Sequence, residues 1–323
     1  MSISQSSSVQ TTSRVAGMAP RRNARRINPW VFTHSTPLIV MTSSSGRRIY
    51  GVDFSGARDA GRKVWIAGGY VADDELVVED CRSAADRFGT TDRTAVFEEL
   101  RGFVRERSDC LFGFDFPFGL PRTVVDGDEW TTVIDGFADR FADPAHLRET
   151  CTEDGDGHRL RATDALAGAM CPYNIRIQYQ TYYGVSAVLH PLVTDHGIPV
   201  SPMTNPEADP RGLVEVYPAA TLARYGLHRD GYKEATGRAT TRRTRNLEGL
   251  VERADLRTAD SLRETVAADD EGDALDSIVA ACATFRAARE GPLSMEDLSA
   301  PEGFDGTDEA YREAVGVEGH IYG

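Results

Sequence analysis

Five carboxylates stand in apolar segments, where an isolated negative charge is costly. Asp53 lies in GVDFSGA, Asp115 in FGFDFPFGLP and Glu215 in LVEVYP, while Asp273 and Asp276 open the segment DALDSIVAA. The last two are three residues apart, so on a helix they share one face. If that helix packs across the strands, all five acids converge, and Mg²⁺ or Mn²⁺ relieves their repulsion. Two such ions about 4 Å apart activate water and stabilise the leaving oxygen in phosphodiester hydrolysis.

Each acid also has an ordinary structural interpretation. Asp53 and Asp115 each precede a turn whose backbone amides they can bind. Glu215 can pair with an arginine such as Arg224, and Asp273 can be a common acid at a helix N-terminus. The combination is a stronger indication of a site than any single member. We therefore take Asp53, Asp115, Asp273, Asp276 and Glu215 as catalytic candidates, and the four aspartates as metal ligands.

Local positive charge indicates where a polyanion would bind. Residues 224–257 hold nine basic and five acidic residues, a local excess in a chain of net charge −14. Arginine suits phosphate because its fork donates two parallel hydrogen bonds. We expect Arg242, Arg243 and Arg245 to contact phosphate, with a solvated helix face as the alternative. Arg161 is a further candidate contact, with a packed insertion as the alternative.

The hydrophobic pattern predicts an α/β fold with a mixed sheet of five strands and helices on both faces. The predicted strands are 48–54, 63–70, 75–81, 110–116 and 212–217, the first three antiparallel. Predicted helices cover 91–107, 241–254 and 258–289, the last divided at Gly272. Residues 47–323 form one domain, with a helical and loop insertion at about 122–208.

Composition limits the class of protein. The chain has 323 residues, 36 basic and 50 acidic, and only two of the basic residues are lysines, Lys63 and Lys233. Surplus acid with little lysine is typical of a halophilic protein. No run approaches the ~20 apolar residues of a membrane helix. Five scattered cysteines indicate a reducing, cytoplasmic setting, and the spacing of Cys151, His158 and Cys171 matches no recurrent zinc motif.

The first 46 residues differ from the rest of the chain. They are rich in Ser and Thr and carry five arginines and no acid. Polar residues interrupt the apolar run that follows the arginines, which does not fit a secretory signal. We interpret this segment as a disordered basic tail or an over-extended start, with Met41 as a plausible first residue.

Several motifs together resemble domain of unknown function family 429, described as predicted nucleases with a ribonuclease-H-like fold. The resemblance spans about residues 47–322 and includes GVDFSGA, FGFDFPFGLP, RATD, EVYPAATL, DALDSIVAA and EGHIYG. It implies acids on strands one and four and on the last helix, which Asp53, Asp115 and the Asp273/Asp276 pair match. RuvC-type junction resolvases carry Glu on the fourth strand instead, and here Glu215 is an additional acid.

These observations predict a Mg²⁺- or Mn²⁺-dependent nuclease that acts on DNA or RNA. A nucleotide-binding phosphotransferase of the same fold is an alternative, because sugar kinases and actin-like ATPases share that fold. A second alternative is a non-catalytic protein that binds nucleic acid through its arginines. Cleavage of nucleic acid would support the nuclease, ATP turnover without cleavage would support the phosphotransferase, and binding without either reaction would support the binding protein.

Overall fold

A mixed sheet of seven strands forms the centre of the structure, a computed structural model that describes residues 46–152 and 157–323. The strands are β1 Arg48–Asp53, β2 Trp65–Ala72, β3 Glu75–Ser83, β4 Cys110–Asp115, β5 Arg211–Val216, β6 Leu256–Thr258 and β7 Ile321–Tyr322. Their order is β6-β3-β2-β1-β4-β5-β7. Strand β2 is antiparallel to β1 and β3, and the remaining neighbours are parallel.

Helices cover both faces of the sheet. They are α1 Ala60–Lys63, α2 Ala84–Phe88, α3 Arg93–Arg105, α4 Trp130–Asp135, α5 Phe137–Arg140, α6 Pro144–Thr152, α7 Ala162–Ala167, α8 Gln178–Tyr183, α9 Pro218–Arg224, α10 Gly237–Arg253, α11 Asp260–Ala268, α12 Asp273–Glu290 and α13 Asp308–Glu318. The structure also contains one 3₁₀ turn, Arg122–Val124, and two π-helical segments, Gly184–Leu189 and Pro191–Asp195. The described residues fall within one compact unit.

The mixed α/β sheet agrees with the sequence, but the prediction of five strands is wrong. The five expected strands are present, and β6 and β7 extend the sheet at its two edges. These two strands have three and two residues. Segments that short show no alternation of apolar and polar residues, so periodicity does not detect them.

Alternation along β1 separates two cores. Tyr50 and Val52 belong to an aromatic-rich core that also includes residues of α3, whereas Ile49 belongs to the core around α12. Successive side chains of a strand point to opposite faces, so odd-numbered positions of β1 face α12. The same parity holds in β4, where Leu111 lies in the α12 core and Phe112 in the aromatic core.

Helix α12 lies directly on the two central strands because glycine leaves room for it. A Cβ atom at Gly51 would overlap the backbone nitrogen of Ala281, and one at Gly113 would overlap Oγ1 of Thr284. The helix is entered through Gly272, whose φ of 79° favours a residue without a side chain. This glycine separates α11 from α12, as predicted, and fixes where the acidic first turn of α12 begins.

Other sequence expectations concern segments at the periphery. Within residues 46–152 and 157–323, no helix is long and apolar enough to cross a membrane. The predicted tail at 1–46 lies outside the described residues, except for Gly46. The predicted insertion contains helices α4 to α8 and contributes Trp130, Phe137 and Leu189 to the aromatic core.

Candidate active site

Asp53 and Asp115 are register partners at the ends of neighbouring parallel strands. Each is the last residue of its strand, β1 and β4, and the two are paired directly across the ladder. Both occupy odd positions, so both side chains lie on the α12 face of the sheet. Asp53 is only 7% exposed, and Asp115 is partly buried. The two carboxylates therefore lie side by side at the same end of the sheet.

The first turn of α12 brings the other two aspartates to the same end of the sheet. Asp276 is buried, and its carboxylate accepts a 2.8 Å hydrogen bond from the Tyr232 hydroxyl and forms an ion pair with Lys233. Asp273 lines an open cleft together with Asp53 and Asp115. The structure therefore brings together four of the five predicted acids.

Burial and mutual repulsion raise the pKa values of the cluster. Burial raises the pKa of Asp53 well above its usual value, and the charges of Asp273, Asp276 and Asp115 add to the effect. The pKa of Asp115 rises to about 8, through burial and then the charge of Asp276. Burial raises the pKa of Asp273 to about 7. The carboxyl groups of Asp115 and Asp273 therefore change charge near neutral pH.

Lysine is confined to this cleft. Lys63 and Lys233, the two lysines of the chain, both line the cleft of about 490 Å³ that holds Asp53, Asp115 and Asp273. Lys63 pairs with Glu271 at the rim. The Asp276 carboxylate raises the pKa of Lys233, which keeps its ammonium charged. The ammonium group of lysine is a compact, strongly hydrated charge, unlike the planar guanidinium of arginine. The cleft therefore contains both ammonium groups of a chain whose other basic side chains are arginines.

Glu215 does not join the acids, contrary to our expectation. It pairs with Phe114, one position before Asp115, so its side chain points to the opposite face of the sheet. There its carboxylate receives two hydrogen bonds from Arg161, of 2.5 and 2.8 Å, and one of 2.9 Å from the backbone nitrogen of Phe118. Its partner is an arginine, but Arg161 rather than Arg224. A buried carboxylate with these partners is structural.

Two of the predicted phosphate-binding arginines are buried and occupied. Arg161 is 1% exposed and binds Asp164 as well as Glu215. Arg243 is fully buried, and its guanidinium donates to backbone carbonyls that include Tyr232 at 2.7 Å. The structure therefore does not support a substrate contact by either residue, because their donors are already used. Arg242 donates to the backbone oxygen of Asp230, and Arg245 is exposed.

The sequence matches the family described as Protein of unknown function (DUF429) over residues 51–297, most of the chain. The chain belongs to the DUF429 family. This match confirms the resemblance drawn from its motifs. Among curated proteins, nothing matches it. Among solved structures, it is similar to the crystal structure of the yeast mitochondrial Holliday junction resolvase Ydc2, with TM-score 0.31 and 9% identity over 75% of this chain and 80% of that chain.

The site of this DUF429 protein contains residues that the motifs did not reveal. Tyr232 and Lys233 reach the acids from the segment before α10, and Arg243 holds that segment through its bond to the Tyr232 carbonyl. From the insertion, the Gln180 amide donates to the backbone oxygen of Asp115. The rarity of lysine was the available sequence signal for Lys233.

The cluster as it stands is not a preformed multi-ligand metal site. In the part of the chain that the structure describes, no three carboxylate, imidazole or thiol groups are spaced to hold a metal ion. Cys151 and Cys171, members of the rejected zinc set, are buried thiols with raised pKa values, as burial predicts.

Proposed function

We propose that this DUF429 protein is a divalent-cation-dependent nuclease with a ribonuclease-H-like core. The topology supports the fold assignment: β1, β2 and β3 are antiparallel neighbours, as expected from the sequence, and β4 and β5 continue the sheet in parallel with β1. The observation that carries the functional proposal is the in-register pair of Asp53 and Asp115 beneath the acidic first turn of α12. Hard oxygen donors in that position are suited to Mg²⁺ or Mn²⁺.

The donor chemistry fits a cation even though three ligands are not preformed. Mg²⁺ is commonly held by one or two carboxylates, with water and substrate phosphate completing its shell. Asp53 and Asp115 would hold it, with Asp273 beside them, whereas Asp276 is already bound to Tyr232 and Lys233. A bound cation would generate the attacking hydroxide and neutralise charge on the leaving oxygen. A bound cation would also offset the burial and the repulsion that raise the pKa of Asp115.

The chain's own groups orient the site. Gln180 fixes the end of β4 through the backbone oxygen of Asp115, so the carboxylate of that residue is held by both strand and insertion. Lys233 neutralises Asp276, and its half-exposed side chain lines the cleft, where it would face a bound phosphate. Of the predicted phosphate contacts, we retain Arg242 and Arg245, whose side chains are not fully buried.

Cleavage assays test the proposal directly. The purified chain is incubated with single-stranded, duplex and four-way-junction DNA and RNA, in multimolar KCl suited to its acidic composition, with Mg²⁺, Mn²⁺ or EDTA. We expect cleavage that requires the cation and that Asp53→Asn lowers at least about 100-fold, since metal-assisted steps contribute several kcal/mol. The matched control is Glu98→Gln, an exposed acid on α3, which should cleave like wild type.

Three results contradict the proposal. Cleavage that is equal in Asp53→Asn and wild type would place the activity outside this cluster. Absence of cleavage together with transfer of phosphate from ATP would favour the phosphotransferase alternative, and binding with neither reaction would favour a nucleic-acid-binding protein. A circular dichroism spectrum of Asp53→Asn equal to that of wild type shows that any loss is chemical and not a failure to fold.

A further inference from the structure

A second cavity adjoins the carboxylate cleft. Its volume is about 260 Å³, and Asp115, Gln180 and Lys233 line both spaces. A group bound in this cavity therefore lies immediately beside the acids. The proposed hydrolysis acts on phosphate and leaves this cavity unused.

Apolar side chains from two separate segments line the cavity. Met170 and Ile177 come from the insertion, and Tyr217 and Pro218 follow β5. Met170 is one of four exposed large apolar residues in residues 46–152 and 157–323, at 37% exposure. Glu215 also borders the cavity, but its charge is already neutralised by an arginine. Such walls are suited to a flat, weakly polar ring.

An exposed arginine completes the lining. Arg229 borders the same cavity as Tyr217, and its side chain is exposed. No carboxylate partner of Arg229 is found among the residues that the structure describes, in contrast to Arg161 and Arg243. Because arginine binds phosphate through parallel hydrogen bonds, the cavity combines an apolar ring site with an anion contact.

The size of the cavity limits the ring. Pockets that hold drug-sized ligands have roughly 300 to 1,000 Å³, somewhat more than the volume of about 260 Å³ here. A nucleobase is smaller than such a ligand and stacks readily on tyrosine.

We propose that this cavity binds one unpaired nucleobase of the substrate, with Arg229 on an adjoining phosphate. The inference rests on the proposed function, because the base belongs to a nucleotide next to the linkage that the aspartates cleave. A base within a stacked duplex must leave the stack to reach such a cavity. The site therefore selects single-stranded, bulged or otherwise unpaired nucleotides over regular duplex.

Binding measurements without cleavage test this inference. The probe is a labelled duplex with one bulged nucleotide, prepared as DNA and as RNA, and compared with the same duplex whose bulge lacks its base. Fluorescence anisotropy is measured with Ca²⁺ in place of Mg²⁺. We expect wild type to bind the base-containing bulge about tenfold more tightly, since stacking contributes roughly 1 to 3 kcal/mol per base.

Two variants close the cavity or remove its charge. Ala169→Phe places a ring in the cavity, and its matched control Ala165→Phe adds the same ring at an exposed position of α7, outside the lining. Arg229→Gln removes the phosphate contact, with the exposed Arg238→Gln as control. We expect Ala169→Phe to abolish the preference for the base and Arg229→Gln to weaken binding of both probes, while both controls behave like wild type.

The outcomes separate this inference from the proposed function. The base preference without cleavage of any substrate would support the cavity and reject the nuclease. Cleavage with no base preference, or with a preference that Ala169→Phe retains, would overturn the inference and leave the nuclease intact. A nucleoside monophosphate that binds as tightly as the bulged probe would identify a free nucleotide as the ligand, which also overturns it.

Discussion

Replacing Asp115 by asparagine should stabilise the protein at neutral pH. Burial and the charge of Asp276 raise the pKa of Asp115 to about 8, against about 3.9 in an unfolded chain. The folded state therefore holds this proton more tightly, and stability falls as pH rises from about 4 to about 8. At pH 7 the cost is at most about 4 kcal/mol, from about three pH units at about 1.4 kcal/mol each. An asparagine side chain lacks the charge and keeps the shape of the carboxyl group.

Thermal unfolding in EDTA measures this difference. A gain of about 4 kcal/mol corresponds to a rise in Tm of about 10 °C in a domain of this size. The gap between Asp115→Asn and wild type should widen from pH 5 to pH 7, and Mg²⁺ should narrow it by stabilising only wild type. The exposed control Glu98→Gln should change stability by less than about 0.5 kcal/mol. A variant that is less stable than wild type at pH 7 would refute the idea that the carboxylates repel each other.

Three further changes test other parts of the structure. Lys233→Met should lower the free energy of unfolding, measured in urea, by about 1 to 2 kcal/mol, because buried Asp276 loses its ion-pair partner. The effect is modest because the Lys233 side chain is half-exposed. Lys233→Arg keeps the positive charge and should therefore be nearly as stable as wild type. Gly51→Ala should lower the free energy of unfolding by more than about 3 kcal/mol, because the added methyl group would push α12 away from β1. Gly102 lies within α3 and has no atom near the position of an added Cβ, so Gly102→Ala should raise the free energy of unfolding by about 0.5 to 1 kcal/mol. Burial lowers the pKa of His320 to about 4, so this histidine should contribute a loss of stability as pH falls below about 6.5, and His320→Gln should remove that contribution. An equal pH dependence of the free energy of unfolding in the variant and wild type would contradict this.

Local pattern was sufficient for the main elements of the fold. Strands β1 to β5 and the break at Gly272 follow from apolar runs and from glycine chemistry, both of which depend on near neighbours in the sequence. The edge strands β6 and β7 depend on partners far along the chain. Their identity is decided by the ladder they join and not by their own residues, so the sequence contains no local sign of them.

Strand parity accounts for which carboxylates lie together, although our sequence analysis did not use it. Asp53 and Asp115 occupy equivalent positions at the ends of adjacent strands, and the helix spacing of Asp273 and Asp276 adds the third element. The same rule places the Glu215 side chain on the opposite face of the sheet, because Glu215 pairs with Phe114 and not with Asp115. The burial of Arg243 was not predictable, since a charged side chain within a basic run resembles a solvated helix face until its carbonyl partners are folded around it.

The placement of both lysines at one cleft makes the protein unusually simple to probe by covalent chemistry. Amine-directed reagents acylate or methylate lysine side chains, and here the whole chain offers Lys63 and Lys233 as such targets. Apart from the chain terminus, every label introduced would therefore report on the carboxylate cleft. A fluorophore or isotopic methyl group attached there would follow occupancy of the cleft without engineering any residue.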